Sequence, residues 1–145
     1  MKKTSIRPIL VAVLMTLAPA FAAAIPAAAA EEKEAAVTIP ATAAEIWQAI
    51  DMHVKELHAD IDKGALKNVH AHAFAVRDLV RGLPTHSPGL SVDANAKVKD
   101  QVTFVDTLAG RLDKTGDAND KPGTVSNLTK LEGVLKTIRA NYPPA

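Results

Sequence analysis

TAAEIWQAIDMHVKELHADIDKG, residues 42–64, reads as one helix with both ends marked. Thr42 stands three residues before Glu45, the spacing of a capping box. There the hydroxyl and the carboxylate satisfy amide donors that the first turn leaves free. Ile46, Ile50, Val54, Leu57 and Ile61 then recur every three or four residues and make one apolar stripe. Gly64 closes the segment, because glycine enters the left-handed conformation at little cost.

The same pattern repeats to the C-terminus. A second helix is predicted from about Ala65 to Gly82, with Leu66, Val69, Ala73, Val76, Val80 and Leu83 inward and Pro84 as its stop. THSPGLS is a loop broken by Pro88 and Gly89. A third helix runs from about Val92 to Lys114, with Val98, Val102, Val105, Ala109 and Leu112 inward. TGDANDKPGT is read as the next loop. Asp120 caps a fourth helix with Pro122 in its first turn, and Val125, Leu128, Leu131, Leu135, Ile138 and Tyr142 form its stripe. Nothing reads as a strand and there is no internal repeat. Four amphipathic helices with short connections predict an all-α chain folded as an antiparallel up-and-down four-helix bundle.

The first thirty residues are not expected to join that bundle. Lys2, Lys3 and Arg7 precede an apolar, alanine-rich run and then AAAA before Glu31, the arrangement of a cleavable secretory signal. Cleavage is expected after Ala30, with Ala24 as the second choice, and the destination is periplasmic. Residues 31–41 are expected to be a flexible leader, and 42–145 the bundle. Removing three bases and no acid turns the net charge from +1 to −2. That balance, with few aromatic residues, argues against nucleic acid as a partner. No membrane association is expected after cleavage. The chain has no cysteine, so neither disulfides nor thiolate metal sites enter.

Histidine is the residue type that raises a functional question. On a helical wheel His53 and His58 flank the first stripe on opposite sides, and His70 and His72 diverge on the second helix. A hairpin turning at Gly64 sets His58 and His70 at the same level. They are the expected pair for a metal, with His53, His72 and Glu56 as further participants and Asp60 and Asp62 nearby. Imidazole suits copper, zinc or nickel. The same histidines, as solvated flank residues, need no ligand. His86 lies apart in the long loop. DKTGDAND (113–120) has the oxygen side chains of a calcium loop, but its glycine comes early and Thr124 replaces the closing glutamate. Asn127 opens an Asn-Leu-Thr acceptor sequence on a predicted helix. No nucleophile–base–acid set, phosphate loop or paired buried carboxylates can be placed, so the chain is not read as an enzyme.

KDQVTFVDTLAGRLD (Lys99–Asp113) and LKTIRANY (Leu135–Tyr142) resemble the third and fourth helices of the cytochrome b562 family. The Lys-Asp pair, the D-x-L-x-G-x-x-D run from Asp106 to Asp113, the L-K-T-x-R segment ending in tyrosine, and the spacing between blocks all fit. The resemblance covers about half of residues 31–145 and implies a periplasmic four-helix bundle. It also implies haem b and electron transfer. The iron would be held by a methionine near the start of the first helix and a histidine near the end of the fourth. Those positions fall near Ile46 and at Pro143, and neither residue ligates iron. Met52 is about two turns too deep. Trp47 either fills space that a haem would take or packs on a loop. Three readings follow: a haem-free binding or stress protein holding a transition metal at hairpin histidines; a haem b electron carrier with substituted ligands; and a structural or partner-binding bundle with no small ligand.

Overall fold

Thr42 and Glu45 form the expected reciprocal box. Thr42 Oγ1 accepts from the Glu45 amide at 3.3 Å, and Glu45 Oε2 accepts from the Thr42 amide at 3.2 Å. A cap of this kind is worth about 1 kcal/mol. It starts α1, Ala43–Lys63, which Gly64 ends at φ 73°. The structure is a computed structural model that describes residues 37–142. The expected signal and its cleavage sites lie outside the described residues. So does Pro143.

The described residues form four α-helices and no strand: α1, then α2 (Val69–Gly82), α3 (Val92–Asp117) and α4 (Lys121–Arg139). Helix α1 packs on α2, α2 on α3 and α3 on α4, and α4 also meets α1. The stripes supply the core. Ile46, Ile50, Leu57, Val76, Val80, Val98, Leu112, Leu131 and Ile138 are all fully or almost fully buried. Each such aliphatic side chain contributes roughly 1.5–3 kcal/mol by leaving water. No described helix is long and apolar enough to cross a membrane.

Several expectations shift. The second helix does not begin at Ala65, because Leu66–Asn68 is a 3₁₀ turn that precedes α2. Helix α3 continues through Asp113, Thr115 and Asp117, so most of the supposed loop is helical and only residues 118–120 connect α3 to α4. Gly116, expected in that loop, is a buried helical position. Asp120 does cap α4, accepting from the Gly123 amide at 3.0 Å. On α4 the inward residue is Thr124, with Val125 45% exposed, one wheel position outside the stripe. Leu79 and Leu108 join the core although the stripes did not include them. Val37 and Ile39, assigned to the leader, pack against the core. Ile39 lies over Gly82 so closely that a Cβ there would meet it at 2.7 Å.

Candidate functional site

The histidines sit on helix flanks, and each flank faces one neighbour. His53 of α1 and His72 of α2 face each other, with Nδ1 to Nδ1 at 2.9 Å and ring centroids 5.2 Å apart. One ring must donate its Nδ1–H and the other accept. Asp60 stands behind the pair, too far for a hydrogen bond to either ring. Its Oδ2 is 3.7 Å from His72 Nε2, and its Oδ1 accepts from Asn68 Nδ2 at 3.4 Å. With the His72 proton on Nε2, toward that carboxylate, His72 Nδ1 is the acceptor and His53 the donor. Asp60 is only 8% exposed, and its Oδ2 has no hydrogen-bond partner among the described residues. Burial lowers the His53 pKa below its ordinary 6.5. The nearby His72 lowers it further, and Glu56 opposes both. The lowered pKa keeps that ring neutral, the form a metal needs, to more acidic pH than a free imidazole.

His58 and His70, the expected pair, are drawn to different helices. His58 Nε2 meets Glu132 Oε1 of α4 at 2.8 Å, and His70 Nδ1 meets Asp113 Oδ1 of α3 at 2.8 Å. The His70 ring also stands edge-on to Phe74 at 4.8 Å. Being level across a hairpin is not enough, because each helix has two flanks and the second faces the next helix. Of the named candidates, the structure brings together His53 and His72, with Asp60 behind them. It leaves Glu56 exposed at the margin. Among the described residues, no group of three or more His, Cys, Asp or Glu side chains could hold a metal. An ion here would have two protein nitrogens, with water completing its shell. Asn127 is buried, its amide 3.4 Å from the Arg111 carbonyl oxygen, so the acceptor sequence lies in a packed interface.

The second feature is one that stripe and motif reading did not find. A cavity of about 900 Å³ opens where the start of α1, the α2–α3 loop and the end of α4 meet. Trp47 and Tyr142 are in its wall, edge to face at 5.6 Å. The Arg139 guanidinium lies 4.3 Å over the Trp47 ring and donates to Asp51 Oδ1 at 2.6 Å. Tyr142 oxygen is 3.2 Å from Ser87 Oγ. Burial raises the Tyr142 pKa above 10, and the Ser87 contact partly offsets that. The Trp47 indole N–H has no acceptor among the described residues.

The residues here do not fit a haem held in the b562 manner. Ile46 is fully buried in the core and carries no ligand atom, and Met52 does not line the cavity. The lining contains one imidazole, His86, whose Nδ1 is 3.1 Å from the Ala41 carbonyl oxygen. No protein-family model, curated protein or solved structure matches the chain.

Proposed function

We propose that this chain is a non-enzymatic periplasmic binding protein, an antiparallel up-and-down bundle of the cytochrome b562 type, that captures a transition-metal cation between His53 and His72. Partner numbering supports the antiparallel arrangement. From Asp51 to His58 along α1, the partners on α4 fall from Arg139 to Glu132. From His53 to Asp60, the partners on the 3₁₀ turn and α2 fall from His72 to Asn68. From His70 to Arg81 along α2, the partners on α3 fall from Asp113 to Asp106.

The observation that carries the metal reading is the 2.9 Å between the two Nδ1 atoms. Once the His53 proton has moved from Nδ1 to Nε2, both Nδ1 atoms are free to ligate, and two nitrogens each about 2.0–2.1 Å from one ion, at a right angle, stand that far apart. A right angle is the cis edge of a tetragonal site, which favours Cu(II) or Ni(II). Tetrahedral Zn(II) requires the pair to open slightly. The Asp60 carboxylate, 3.7 Å from His72 Nε2, stands on the side from which a carboxylate fixes a ligating imidazole, and would have to close in to do so. Electron transfer through haem b is the weaker reading, because the cavity offers one imidazole and no sulfur. Calorimetric titration with Cu(II) tests the proposal. One ion should bind per chain, weakened at least about tenfold by His53→Ala or His72→Ala and unchanged by His58→Ala with His70→Ala. Loss that follows His58 and His70 instead contradicts it.

A further inference from the structure

We propose that the cavity between the start of α1 and the end of α4 binds an amphipathic organic monoanion, an apolar body carrying one carboxylate. Its volume, about 900 Å³, lies within the range of small-molecule sites, roughly 300–1,000 Å³. The wall is apolar over most of its area, with Ala44, Trp47, Leu90 and Tyr142 in it. That suits a hydrocarbon or aromatic body.

Charge selects the head group. Lys136, Arg139 and Asp51 line the cavity. Asp51 is taken by Arg139 at 2.6 Å, whereas Lys136 has no carboxylate partner among the described residues. The fixed charge left over is one cation. The helix ends do not alter this, since the N-terminus of α1 favours an anion and the C-terminus of α4 disfavours one. Trp47 is 8% exposed and its indole nitrogen is closed off, so what it presents to the cavity is apolar ring carbon, which suits the hydrocarbon body and not the head group. The site shares no residue with the His53–His72 pair, so neither proposal depends on the other.

Trp47 is the only tryptophan of the chain, and it reports on the cavity directly. The purified protein, freed of metal by a chelator, would be titrated with decanoate below its micellar range while tryptophan emission is followed. Decan-1-ol and decyltrimethylammonium, with the same body and a different head, are the controls. The expected result is saturable 1:1 binding of decanoate, about fivefold or more tighter than the alcohol, with no saturable effect of the cation. Lys136→Ala should weaken decanoate about threefold to fivefold with helicity unchanged. Ala44→Phe, which fills the mouth from an exposed helical position, should abolish binding. Equal binding of decanoate and decanol overturns the proposal. So does decanoate binding that survives both substitutions, or the absence of any saturable change.

Discussion

Gly116 lies inside α3, where alanine would ordinarily stabilise by about 0.5–1 kcal/mol. The structure gives the opposite expectation. A Cβ at Gly116 would stand 2.6 Å from the Leu66 carbonyl oxygen, a backbone atom that also accepts from the Val69 amide in the 3₁₀ turn. Relief requires α3 to move away from the α1–α2 connection, and overpacking of this kind costs about 1–3 kcal/mol. Gly116 is one residue from the end of α3, so the propensity gain is at the low end of its range. Gly116→Ala should therefore destabilise by about 1–2 kcal/mol, a fall in Tm of roughly 5–15 °C for a domain of this size. Gly110 and Gly133 are also helical, but an added Cβ meets nothing within 4 Å at either position. Their alanine variants should each raise Tm by about 4 °C. Thermal unfolding followed by circular dichroism at 222 nm, on the three variants side by side, reads the contrast. A Gly116→Ala protein as stable as its parent, or a destabilised Gly110→Ala, would refute the close approach of α3 to Leu66.

Tyr142 is the only tyrosine, so its ionisation can be read by absorbance near 295 nm. The midpoint should lie above 10 in the folded protein, return toward 10 in urea, and rise further in Ser87→Ala. Because the folded pKa is raised, the folded chain holds the proton longer than the unfolded one. This contribution to stability is full below pH 10 and is lost as pH climbs through the folded value. A midpoint at or below 10 in the folded state would place Tyr142 outside the cavity wall. Asn119 adopts φ 54° between α3 and α4. Asn119→Ala should cost about 1 kcal/mol in urea unfolding, while Asn119→Gly should be neutral or slightly stabilising. Equal effects of the two would contradict a left-handed residue there.

What was legible in the sequence was local. Thr42 with Glu45, Gly64, and Asp120 with Pro122 announce helix ends through backbone chemistry that acts within four residues. The structure has all three. The 3.6-residue period located most of the core for the same reason. Gly116 was placed in a loop because its small size serves a contact with Leu66, fifty residues earlier, and such a glycine looks like a loop residue until its neighbour is known. The histidines failed differently. The wheel correctly set His53 opposite His58 and His70 opposite His72, and the hairpin set the levels. Which flank of α1 meets α2 depends on the side to which the chain turns after Gly64 and on where α3 and α4 then pack. No short-range signal carries that choice. The cavity was invisible for a related reason, since its walls come from three segments far apart in sequence. Of its lining, Trp47 was read as filling haem space or packing on a loop, Tyr142 as the end of a stripe and His86 as a lone loop histidine, and nothing local joined the three.

The most direct measurement is electron paramagnetic resonance of the protein loaded with one equivalent of Cu(II), compared with its His72→Ala and His58→Ala variants. A tetragonal signal with superhyperfine splitting from two imidazole nitrogens, kept in His58→Ala and lost in His72→Ala, is the expected result. A spectrum of free or heterogeneous copper in the parent protein, or one insensitive to His72, would leave the 2.9 Å contact as a plain hydrogen bond between two rings.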